Sequence, residues 1–134
     1  NDDLTRSHEI CQDFDRSIPD ASFIHGIVHR REPDHSNARG WFGRAEGMRG
    51  GETIRDAVLA LLQRVLQIPD YGSARDTAFE WIQHLQKVGT WDPLKLLDLC
   101  EVGAWKEDAS LRRLLEEVQE AELLAAIEVM GSRA

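Results

Sequence analysis

The stretch Thr53-Ile54-Arg55-Asp56-Ala57-Val58-Leu59-Ala60-Leu61-Leu62-Gln63-Arg64-Val65-Leu66 carries the most regular pattern in the chain. Ile54, Val58, Leu61, Leu62 and Val65 recur at i, i+4, i+7, i+8 and i+11, the apolar stripe of an α-helix, with Thr53 as its candidate cap. The same period continues downstream. Ala78, Trp81, Ile82, Leu85 and Val88 predict a second helix, with Ser73 as candidate cap and Gly89 as its stop. Asp92-Pro93 places an N-cap before a proline at the first helical position, opening a short helix through Leu94, Leu97 and Cys100. Leu111, Leu114, Leu115, Val118, Leu123, Ile127 and Met130 predict a last helix over 108–130.

Upstream of the quoted stretch the pattern is also helical. Leu4, His8, Cys11 and Phe14 form a first stripe, which Pro19 is expected to stop, leaving Asp20 to cap the next helix. Phe23, Ile24, Ile27 and Val28 give that helix an apolar face, and Pro33 ends it. Asp34 or Ser36 then caps a third helix carrying Ala38, Trp41, Phe42 and Ala45. Gly43, Gly47, Gly50 and Gly51 crowd one short segment and predict a surface loop over 46–53. No run alternates with period two. The expectation is an all-α, single-domain helical bundle or orthogonal array of about six helices over 1–134, made of His- and Arg-bearing helices over 1–45, the glycine loop, and C-terminal helices over 54–134.

The chain has 134 residues, enough for one core without staples. Its 16 Lys and Arg against 24 Asp and Glu give a net charge of −8. That balance argues against nucleic acid, whose binding rests on phosphate neutralisation, and against docking on anionic lipid. The longest purely apolar run, Ala57–Leu62, is far short of a membrane span, and no signal-peptide pattern is visible. Cys11 and Cys100 lie far apart with no neighbouring cysteine, as expected of a reduced, cytoplasmic protein.

Chemistry concentrates in Phe23-Ile24-His25-Gly26-Ile27-Val28-His29-Arg30-Arg31-Glu32-Pro33-Asp34-His35. His25 and His29 stand at i and i+4 and so share a helical face. Two imidazoles at that spacing can hold a divalent metal; His8 is a candidate third ligand, and Glu32 or Asp34 can complete the shell or act as a base. The plain alternative is a set of hydrogen-bonded histidines at the edge of a core, since Gly26 stands where the zincin pattern has glutamate. Arg30 and Arg31 can clamp a carboxylate or phosphate, or brace the corner against Glu32, Asp34 or Asp20. Asn37 is placed to hydrogen-bond back to the corner, and Trp41 to stack on an arginine or a histidine. In the C-terminal half, Trp81, Trp91, Trp105 and Phe79 read as core and corner fillers. Glu116, Glu117, Glu120, Glu122 and Glu128 read as a solvated acidic face, and His84 lies on a polar side with no assigned role.

The block from Phe23 to Phe42 resembles the signature of a family of uncharacterised helical proteins from bacteria and fungi, in which H-x-x-x-H-R-R-E-P-D is followed by S-N-A-x-x-W-F. Ser7-His8-Glu9-Ile10-Cys11-Gln12-Asp13, Trp91-Asp92-Pro93 and Leu97-Asp98-Leu99-Cys100-Glu101 resemble other elements of that family. Gly40 departs from it, since relatives carry an aromatic residue there. The resemblance implies kinship and no activity. The run from Ala21 to Ala45 also resembles a tetratricopeptide-like helical hairpin, although no second copy follows at a fixed period.

These observations support a helical binding module whose polar groove is lined by His25, His29, Arg30, Arg31, Glu32, Asp34, Asn37 and Trp41 and takes a protein or a small molecule. The alternative is a metal-dependent enzyme, a hydrolase for instance, with His8, His25 and His29 on a divalent metal. A third reading is an accessory domain with a structural task alone. No nucleophile elbow or phosphate loop points to covalent or nucleotide chemistry.

Overall fold

The computed structural model describes residues 19–131. Among them are six α-helices and one short 3₁₀ turn, with no strand: α1 (Pro19–Arg31), α2 (His35–Gly43), α3 (Gly51–Leu66), α4 (Ala74–Val88), α5 (Pro93–Val102), the turn Ala104–Glu107, and α6 (Ala109–Gly131). The all-α expectation holds. The stripe expected on Leu4, His8, Cys11 and Phe14 lies outside the described residues. No described helix is long and apolar enough to cross a membrane.

Backbone contacts divide the described chain into two compact units. The first runs to Arg49 and includes Pro93–Glu101; the second takes Gly50–Asp92 and continues from Val102.

In the first unit α1 packs on α2. Phe23, Ile27, Val28, Ala38 and Phe42 are buried, as are Leu96 and Leu97 on α5. Pro19 is the first described residue of α1, in a first turn where its missing N–H costs little, and the helix it is expected to stop lies outside the described residues. Asp20 therefore falls inside the first turn. Its buried carboxylate accepts the Arg49 backbone N–H at 2.8 Å, anchoring the chain that follows α2. Arg39 on α2 donates through Nη2 to Asp98 Oδ1 and Glu101 Oε2, each at 2.7 Å, which ties α2 to α5. Those two hydrogen bonds, Asp98 first, raise the Arg39 guanidinium above its ordinary pKa.

In the second unit α3, α4 and α6 pack together. The quoted stripe behaves as its spacing predicts, with Ile54, Val58, Leu62 and Val65 buried. α3 begins at Gly51, so the glycine segment ends sooner than expected and Thr53 sits within the helix. Gly50 caps it at φ +86°, a left-handed conformation open to glycine, and a Cβ there would stand 2.5 Å from Val129 Cγ1. Asp92 precedes Pro93 as expected, but its side chain makes no cap bond. It faces His84 Nε2 at 2.7 Å, which gives that histidine a structural partner.

Ser73 likewise makes no cap bond in its own helix. Its hydroxyl donates to Asp108, while Ser110 Oγ accepts the Ala74 N–H at 3.2 Å. Asp108 Oδ1 in turn accepts the N–H groups of Ser110 at 3.0 Å and Leu111 at 3.1 Å, the pattern of an N-cap for α6. The Ser73 hydroxyl first, then the Leu111 N–H and the Ser110 hydroxyl, pull the Asp108 carboxyl down to about 2.

Two expectations fail here. Glu122 does not belong to the solvated acidic face. It is fully buried, because it continues the stripe of Leu115 and Val118, and its Oε2 accepts the Trp91 indole N–H at 2.7 Å. Phe79 is not a core filler: it is 52% exposed, whereas Trp81 and Trp91 are buried and stack with centroids 6.0 Å apart.

Gly50→Ala and Gly89→Ala separate backbone strain from crowding. Both positions hold positive φ, but only the Cβ at Gly50 meets a neighbour. Urea unfolding should show a loss of about 1–2 kcal/mol for Gly89→Ala and roughly 1–3 kcal/mol more for Gly50→Ala. Asp108 sets an acid signature as well. Its folded pKa lies below its ordinary value of 3.8, so the stability it contributes is complete above that pH and lost as pH falls towards about 2. The difference in urea midpoint between wild type and Asp108→Ala should therefore be widest above pH 4 and shrink by pH 2.

Candidate functional site

The site grows out of the corner between α1 and α2. Along α1, Phe23, Ile27 and Arg30 follow the helical repeat on the buried side. His25, His29 and Glu32 follow the same repeat on another face. After Arg31 the chain folds back tightly: the Glu32 N–H reaches the Val28 and His29 carbonyls at 3.2 and 3.3 Å, and the Asp34 N–H reaches the His29 carbonyl at 2.6 Å. Asp34 then caps α2 as expected, accepting the Asn37 N–H at 3.4 Å and the Asn37 side-chain amide at 2.8 Å. Asn37 thus bonds back to the corner as its position suggested.

The fold-back brings three groups together. His29 Nδ1 lies 3.0 Å from Glu32 Oε1 and 3.7 Å from Asp34 Oδ2. One ligand atom from each residue fits within 4.8 Å of the other two, the spacing of a site for a metal ion. His29 Nδ1 is buried and has no hydrogen-bond partner, since Glu32 stands close but out of line with the ring nitrogen. Among the described residues, no arginine or lysine pairs with either carboxylate. The Asn37 side-chain amide, foremost, holds the Asp34 carboxyl below its usual pKa, and the Asn37 N–H and the charges of His29 and His35 act in the same direction. Asp34 is therefore an anion at neutral pH.

The other candidates surround this cluster or leave it. His25 stacks on Trp41, with centroids 4.2 Å apart and planes 16° apart. Its ring lies 6.4 Å from that of His29 and nearly parallel to it, so the two imidazoles stand side by side. The three-residue set contains His29 and not His25, while His8 lies outside the described residues. Arg30 is only 4% exposed, its guanidinium over the Phe42 ring at 5.6 Å, and so it lies on the packed side of α1. Arg31 is exposed. Arg44, not singled out by its pattern, covers the Trp41 ring at 4.9 Å. Its place three residues after Trp41 was the available signal. Trp41 thus stacks on both a histidine and an arginine. A Cβ at Gly40 would meet nothing within 4 Å.

The corner holds Glu32 and Asp34 next to an exposed Arg31, which makes no ion pair with either carboxylate. Of the nearby arginines, Arg39 is held by Asp98 and Glu101, Arg44 by the Trp41 face, and Arg30 by its burial on Phe42. Glu32 follows the C-terminus of α1, the negative end of its dipole, while Asp34 caps the positive N-terminal end of α2. A cation is the complement of such a place. Compared with known proteins, the chain matches no family model, no curated protein and no solved structure.

The corner exists because α2 lies close against Gly26, where a Cβ would run into the Phe42 ring. Gly26→Ala should destabilise the protein by about 1–3 kcal/mol through overpacking. Gly40→Ala, on the open face of α2, should stabilise it by up to about 1 kcal/mol through helix propensity. Chemical denaturation of the two variants checks the opposite signs.

Proposed function

We propose that this protein is a soluble, cytoplasmic helical binding module that takes a cationic ligand at the α1–α2 corner. The observation that carries the reading is the convergence of Glu32 and Asp34 on the buried His29 Nδ1, with no arginine or lysine neutralising them among the described residues. Two carboxylates beside a half-buried imidazole are a cation acceptor. The flat His25–Trp41 stack forms a wall beside it, suited to the plane of a ligand or the stem of a basic side chain. The packing of α1 on α2 also supports the proposal that this pair is a tetratricopeptide-like hairpin. The net charge of −8 fits a basic or cationic partner and speaks against nucleic acid. Kinship to the helical family with the H-x-x-x-H-R-R-E-P-D block belongs to the same proposal.

The test is an amide NMR titration of the labelled full chain with a short peptide carrying two arginines. Saturable shifts should centre on residues 28–38 and vanish in the Glu32→Gln/Asp34→Asn double variant. Shifts spread over the acidic surface, or unchanged in the double variant, would contradict the reading.

A further inference from the structure

The corner carries a narrower inference, which rests on reading it as a cation site. We propose that His29, Glu32 and Asp34 hold a divalent transition-metal ion, with His29 Nδ1 as the nitrogen ligand and one carboxylate oxygen each from Glu32 and Asp34.

Spacing suits a metal ion. Ligands about 2.1 Å from a tetrahedral ion lie ~3.4 Å from one another. The distances of 3.0 and 3.7 Å from His29 Nδ1 to the two oxygens bracket that value. The state of the histidine points the same way. A buried ring nitrogen that makes no hydrogen bond, 3.0 Å from a carboxylate, is costly as it stands and is satisfied when its lone pair ligates an ion.

The second layer is in place too. The Asn37 side-chain amide donates to Asp34 Oδ2 at 2.8 Å and orients the carboxylate, the role of a group one step removed from the metal. An oxygen with two lone pairs can accept that bond and still ligate. One nitrogen with two carboxylate oxygens suits zinc, manganese or cobalt better than calcium, which takes oxygen ligands alone. Three protein ligands leave at least one position open, as in sites where the metal meets water or a ligand rather than closed structural sites. Since Glu32 is exposed and Asp34 half-exposed, that open position faces solvent.

Calorimetry of the untagged full chain with zinc chloride tests this, alongside the Glu32→Gln, Asp34→Asn and His84→Gln variants. Asparagine keeps the capping function at position 34, and circular dichroism verifies that each variant is folded. The expected result is one zinc per chain, weakened by about tenfold or more in Glu32→Gln and Asp34→Asn. His84→Gln, which alters the His84–Asp92 pair instead, should leave the affinity unchanged. Zinc binding that ignores Glu32→Gln and Asp34→Asn overturns the proposal. So does absence of zinc binding while the arginine peptide still shifts residues 28–38, in which case the cation-site reading stands without the metal. If neither zinc nor the peptide binds, both fall.

Discussion

The close approach of α1 and α2 at Gly26 is the constraint from which the N-terminal unit follows. The Phe42 ring lies where any larger residue at position 26 would place its Cβ. Because the helices meet there, Phe23 and Phe42 contact each other, with centroids 6.0 Å apart, and the buried side of α1 is filled. The same approach sets His25 against Trp41 on the other side. The connection between the helices is consequently only Glu32, Pro33 and Asp34, so it must turn sharply. That turn sends the Asp34 N–H to the His29 carbonyl and its carboxylate towards the His29 ring. A contact made for packing thereby determines where the polar groups end up.

Charge distribution follows from the same geometry. Arg30 and Arg31 balance Glu32 and Asp34 within the corner sequence, yet most of the arginines nearby are engaged elsewhere. Arg30 goes under the helix pair, Arg39 reaches α5, and Arg44 covers Trp41. Arg31 stays exposed beside Glu32 and Asp34.

Helices with a complete apolar repeat were legible in the sequence, because periodicity and burial are the same physical fact. Ile54 through Val65 show this directly, as does the cap at Asp34, whose partner Asn37 is three residues away. Partners remote in sequence were not legible. Nothing local indicates that Arg39 meets Asp98 and Glu101, or that Asp20 accepts the N–H of Arg49. Glu122 is an intermediate case: its position on the stripe of Leu115 and Val118 is readable, but its charge argues for the surface, and the indole N–H of Trp91 that it accepts is remote in sequence. At the site, the i, i+4 spacing drew attention to His25 and His29 together. Glu32, three residues after His29, was within reach of the same spacing, and the tight turn after Arg31, which spacing does not encode, adds Asp34.

The most direct test of the central claim, that the turn assembles a cation site from His29, Glu32 and Asp34, is anomalous diffraction from a crystal soaked in zinc. The account predicts one strong peak about 2.0–2.2 Å from His29 Nδ1 and from an oxygen of each carboxylate. A corner without a peak, or a zinc ion bound between His25 and His29 with both carboxylates turned away, would contradict it.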